Sequence, residues 1–214
     1  MRRNDIRWPE TRASLFRMQG SGYTSPTWCS IEWIDNYNYD VGRLANEYKR
    51  AADKVIYALR KGNDPFHPDG LFVPVAYLYR HCLELKLKDF LSLMVQCRFV
   101  ANNDNVHNAL ETHNLAKLWD LVKRGLRKQW PRGDTKVLAN TEAMILDFHK
   151  VDKSGQNLRY CQDKNGNRTI ARYPRYIDLA GLQKAFDGIY NLLNGCTTQF
   201  SNLLDCQREM EQEY

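Results

Sequence analysis

No apolar run in this 214-residue chain is long enough to cross a bilayer. The basic start, MRRNDIRWPETR, lacks the apolar stretch of a secretory signal. These two absences exclude a membrane span and disfavour export, so a cytoplasmic setting is expected. A mean hydropathy of −0.62 agrees. The six cysteines, Cys29, Cys82, Cys97, Cys161, Cys196 and Cys206, include no C-x-x-C pair, so the strong zinc spacings are missing. A chain this long needs no disulfide staples, and reduced, mostly buried thiols are expected. Internal repeats and low-complexity tracts are also lacking, which excludes solenoid arrays. What is present is 43% hydrophobic residues and five Trp, enough for one domain with a true core.

The formal net charge of +6 is modest, and its distribution says more. Lys123, Arg124, Arg127, Lys128 and Arg132 lie in one stretch with no acid. Arg159, Lys164, Arg168, Arg172 and Arg175 form a second, with Asp163 as its one acid. Trp130, Tyr160, Tyr173 and Tyr176 are interleaved. Phosphate backbones favour such clusters through counterion release, and aromatic rings stack on unpaired bases. The alternative is a solvated helix end and a polar hairpin. The acidic end, Asp205 to Glu213, would repel a polyanion and is expected to face elsewhere.

Residues 1–37 show no sustained period. Trp8-Pro9, Gly20, Gly22 and Ser25-Pro26 read as an extended arm with turns, packed on the body through Trp28, Ile31, Trp33 and Ile34. Residues 38–214 read as a helical domain. Three- and four-residue apolar spacing predicts a first helix over about Asp40–Arg60, capped by Asp40, and a second over about Leu71–Cys97 with Pro74 in its first turn. The second is apolar almost all round, so it is expected at the centre of a bundle. Asn102–Asn105 reads as a loop. A third helix is expected from His113-Asn114 to Pro131, and a fourth over Thr135–Lys150 with Val137, Ala143, Met144, Ile145 and Phe148 inward. Leu158–Cys161 and Thr169–Tyr173 read as a hairpin turning at Asn165-Gly166. A last helix starts near Asp178. The expected fold is thus all-α: an antiparallel bundle of about five helices, with a short β-hairpin before the last helix and an N-terminal arm.

The central helix carries Arg80-His81-Cys82-Leu83-Glu84-Leu85-Lys86-Leu87-Lys88. At about 100° per residue, Arg80, His81, Glu84 and Lys88 share one narrow arc. Glu84 stands four residues from both Arg80 and Lys88, and can pair with either. His81 is three residues from Glu84, close enough for the carboxylate to orient the imidazole. The stripe can be an ion-pair ladder that fixes register. It can instead be a pocket where His81 does acid–base work and Arg80 or Lys88 holds a phosphate. A di-metal site would need several further inward carboxylates, and no second E-x-x-H is present, so no metal or other cofactor is expected.

Three short segments occur in a telling order: Glu84-Leu85-Lys86-Leu87-Lys88, then Thr112-His113-Asn114-Leu115, then Arg172-Tyr173-Pro174. Over residues ~40–205 this order resembles the HEPN domain family, whose members are bundles of four or five helices with E-x-x-L-K, T-H-[DN]-L and R-Y-P segments. The resemblance implies RNA-directed work. Many members are metal-independent endoribonucleases of toxin–antitoxin or antiviral systems, acting as homodimers. Their signature pairs an Arg and a His with four to six residues between them, near the later helices. Here Arg60 and His67 alone have that spacing, in the loop before the central helix, and no His follows Arg172 or Arg175. Either Arg80-His81 has taken over the role, or the domain binds without cutting. In the first case His81 is the acid or base, Arg80 the phosphate clamp and Glu84 the orienting carboxylate. Lys88, His113, Arg159, Arg172 and Tyr173 would then contact RNA. The other reading is a non-catalytic bundle that binds a partner protein, such as an antitoxin, sensor or scaffold subunit.

Overall fold

The computed structural model describes residues 40–62, 68–160, 162, 165–169 and 176–212. Six helices occur among them: α1 (Val41–Arg60), α2 (Pro68–Gln96), α3 (Asp104–Glu111), α4 (Leu115–Gln129), α5 (Thr135–Val151) and α6 (Leu179–Gln212). Their starts are fixed by short polar side chains that accept orphan N–H groups. Asp40 accepts from Arg43 N at 2.6 Å, Asn114 from Lys117 N at 3.0 Å, and Asp134 from Lys136 N at 2.8 Å.

The 29-residue α2 is the central rod and packs against α1, α4 and α6. Its Tyr79, Leu83, Leu87, Phe90, Leu91 and Met94 are buried, and so are Ile56 of α1, Trp119 and Val122 of α4, and Phe186, Ile189 and Phe200 of α6. One glycine sets how closely two helices approach. A Cβ on Gly125 of α4 would lie 2.5 Å from Met94 Sδ of α2.

The all-helical class and the central position of α2 agree with the sequence reading. Several details differ. Asn103 caps an additional short helix, α3, where a loop was expected, because its side chain accepts from Val106 N. The start of α2 falls at Pro68, so Pro74 lies inside the helix rather than in its first turn. On α5, Val137 and Ala143 are exposed, whereas Ile145 is buried. The hairpin reduces, among the described residues, to one antiparallel bridge between Gln162 and Arg168, with Gly166 at φ +81° in the turn. Thr169 Oγ1 donates to the Tyr160 carbonyl at 2.7 Å beside it. Cys82 and Cys97 are buried free thiols, whereas Cys206 is exposed. The N-terminal arm, Arg172 and Tyr173 lie outside the described residues. No helix among the described residues is long and apolar enough to cross a membrane.

Candidate functional site

The stripe on α2 divides into a sealed part and an accessible part. Arg80 and Glu84 are each 1% exposed. Their side chains pair directly through Arg80 Nη1 and Glu84 Oε2. The same guanidinium reaches two other segments. Its Nη2 donates to the His113 carbonyl at 2.6 Å, just before α4, and its Nε lies 3.2 Å from Asp152 Oδ2, just after α5. Asp152 is itself fully buried and accepts from Asn157 N at 3.0 Å. One planar fork therefore ties α2, the entry to α4 and the exit of α5, a task suited to Arg rather than Lys. A guanidinium so engaged has no face for a phosphate. Arg80, expected as a phosphate clamp, is buried against these partners.

The second oxygen of Glu84, Oε1, looks the other way. It meets Lys88 Nζ at 3.0 Å and His113 Nδ1 at 2.8 Å. Burial alone would raise the Glu84 pKa. Hydrogen bonds from Arg80, Lys88 and His113 overcome that and bring it down to about 2. Being ionised, Glu84 can only accept, so the proton of the pair sits on His113 Nδ1. The His113 ring is 45% exposed. Carboxylate and imidazole thus form a dyad at the protein surface, with Lys88 at its side. The sequence reading placed Glu84 against His81. The i, i+3 spacing allows that pairing, but the α4 entry brings His113 onto the same carboxylate across 29 positions of sequence.

His81 has different neighbours. Tyr48 of α1 meets its ring edge-on at 4.5 Å between centroids, and Tyr77 stacks on it at 5.7 Å. Burial pushes its pKa below the ordinary histidine value. Glu84 pulls the other way, while Arg159, Arg80 and His113 add to the lowering. His81 Nδ1 is buried without a hydrogen-bond partner among the described residues. Arg159, which is exposed, caps this stack with its guanidinium 5.4 Å from the Tyr77 ring centre. The structure thus brings Lys88 and His113 onto Glu84, and Arg159 next to His81 through the Tyr77 ring.

Gly155 lies beside His113. Its φ of +75° is left-handed, and an added Cβ would meet His113 Cβ and Cγ at 3.1 Å. Gly155→Ala is expected to lower stability by about 1–3 kcal/mol, from the strained backbone and the crowded imidazole. Urea unfolding checks this. An unchanged midpoint removes Gly155 from the account.

The first basic stretch is partly used internally. Lys123 pairs with Glu142 at 2.5 Å, Arg124 with Asp120 at 2.8 Å, and Lys128 donates to the Arg98 carbonyl at 3.3 Å. Arg127 and Arg132 are exposed. Sequence reasoning missed Asp152 and Gly155, which it read as an ordinary turn. Nothing in the Asp152–Gly155 segment marks it as a partner of a residue 72 positions earlier. No group of three or more His, Cys, Asp or Glu side chains among the described residues is placed to hold a metal ion. No family model, curated protein or solved structure matches the chain.

Proposed function

We propose that this chain is a HEPN-like RNA-processing protein that cleaves RNA by general acid–base chemistry, with His113 rather than His81 as its proton-transfer group. The observation that carries the reading is the buried, ionised Glu84 holding a half-exposed imidazole at 2.8 Å beside a lysine. The carboxylate fixes the ring's tautomer and orientation, and Nε2 is the nitrogen left to exchange a proton. A ribose 2′-hydroxyl attacks the adjacent phosphorus, and the bond from phosphorus to the 5′-oxygen breaks. His113 Nε2 takes the proton of the 2′-hydroxyl and returns it to the departing 5′-oxygen. Lys88 and Arg159 supply positive charge for the phosphate. The buried Arg80 positions His113 through its carbonyl and is not a catalytic residue. A bacterial defence or toxin–antitoxin setting, and action as a homodimer, fit this reading.

Incubation of the purified chain with single-stranded RNA in EDTA is expected to give products with a cyclic phosphate end. His113→Gln is expected to slow cleavage by at least about 100-fold, the range of a lost acid–base group, with little change in melting temperature. His81→Gln is expected to cost far less activity. Loss that follows His81 and spares His113 reverses the assignment. Salt-sensitive RNA binding without cleavage reduces the function to binding. An absence of both at low salt leaves the partner-binding bundle as the reading.

A further inference from the structure

Apart from the charged stripe, the described residues line a pocket of about 240 Å³, open to solvent on one side, between α2, α5 and α6. Its walls include Ala76 of α2, Met144 and Phe148 of α5, and Leu182, Phe186 and Ile189 of α6. Phe148 and Phe186 meet edge-to-face, with centroids 6.1 Å apart at 83°. Asp147 is the one charged residue among the described lining, and it is exposed and paired with Lys150 Nζ at 3.0 Å. Ala185 is also exposed, so these two residues mark the mouth.

We infer that this cavity is a binding site for a compact, neutral, apolar molecule. Three properties lead there. The walls leave apolar surface in contact with water, and covering that surface is favourable. Walls of this kind offer water almost no hydrogen-bond partners, so an apolar guest displaces it without losing polar contacts. The one carboxylate already has its cation, so nothing in the walls calls for a charged or hydrogen-bonding ligand. Size narrows the class. A cavity of roughly 150 Å³ takes one benzene ring, so this one takes about ten carbon atoms. The two phenyl rings in the wall favour an aromatic guest, a fused bicycle being the right scale.

The site has a structural link to the His113 neighbourhood. Val151 and Leu158 line the cavity. Between them in sequence lie Asp152, which faces Arg80, and Gly155, which abuts His113. This link is not needed for the ligand reading, and the ligand reading does not depend on the proposed cleavage.

Naphthalene is the probe. Added to the full chain near its aqueous solubility limit, it is expected to raise the melting temperature by several degrees and to quench its own fluorescence response in a saturable manner. Ala185→Trp, placed at the exposed mouth, and Ala76→Leu, placed in the wall, are each expected to abolish the probe's effect. Ala76→Leu is also expected to raise the melting temperature without probe, because it fills empty volume. Saturable binding that survives both variants places the probe elsewhere and overturns the inference. No response to naphthalene, together with a fall in melting temperature for Ala76→Leu, means the volume is filled by the protein itself, and also overturns it. Neither outcome bears on the His113 test, which reads RNA cleavage.

Discussion

Arg80→Ala is expected to lower the free energy of unfolding by about 3–5 kcal/mol, the usual cost of removing one member of a buried ion cluster. The loss has a specific origin. Glu84 and Asp152 remain buried, and Asp152 loses the cation 3.2 Å from its Oδ2. Arg80→Lys is expected to recover little of this, since an ammonium cannot reach Glu84, the His113 carbonyl and Asp152 together. Chemical denaturation of the two variants reads the effect. A loss below about 1 kcal/mol in both would mean that the cluster is a bystander. The same cluster sets a pH dependence. Glu84 has an ordinary value of 4.5 and a folded value of about 2. A carboxylate lowered on folding stabilises the protein above its unfolded pKa, and the gain disappears as pH falls from about 4.5 through about 2. The size is on the order of 3 kcal/mol. Glu84→Gln is expected to flatten that part of the stability profile.

The second large effect is expected at Phe200. This side chain is fully buried in α6. It sits among Phe90 of α2 at 5.3 Å, Phe99 at 5.0 Å and Trp130 at 5.7 Å, all in edge-to-face geometry. Phe200→Ala removes a full aromatic volume and three ring contacts at once. A cost of about 3–5 kcal/mol follows from the lost transfer energy and the cavity left behind. Phe200→Leu, which keeps most of the volume, is expected to cost clearly less. Equal losses for the two variants would show that ring packing matters little here. The indole of Trp130 gives a fluorescence signal beside the substitution, so the unfolding transition can be followed at the site itself.

The sequence predicts this core well because its signals are local. Asp40, Asn114 and Asp134 each cap the nearest N–H groups, and a short polar residue before an apolar period announces such a start. The near-continuous apolar surface of α2 announces a central rod, since no amphipathic face could account for it. Asn103 carries the same capping signal. It lies in a run of four polar residues, Asn102 to Asn105, and such a run by itself carries a loop signal. Proline set a similar trap at Pro74: a proline is ordinarily the mark of a first helical turn, yet α2 begins at Pro68 and runs through it.

The candidate site was half legible for a different reason. Spacing along one helix shows that Glu84 can reach Arg80 and Lys88, and the structure pairs it with both. Spacing cannot choose between His81 and His113, because that choice depends on where α4 enters the bundle. Nor can it find Asp152, whose only link to the stripe is spatial. Residues of one charge sign near each other in sequence were also read too simply. Lys123 and Arg124 have acids within reach on their own or a neighbouring helix, so part of the basic stretch is neutralised before any partner arrives.

The Arg80 fork also has a kinetic meaning. Its partners stand 33 and 72 positions away along the chain, at the His113 and Asp152 carbonyls. Such a side chain cannot complete its contacts until helices from three parts of the sequence have docked. Contacts that close so late act mainly as a brake on opening, so the time the native state persists is expected to depend on Arg80 more than the speed at which the chain first collapses.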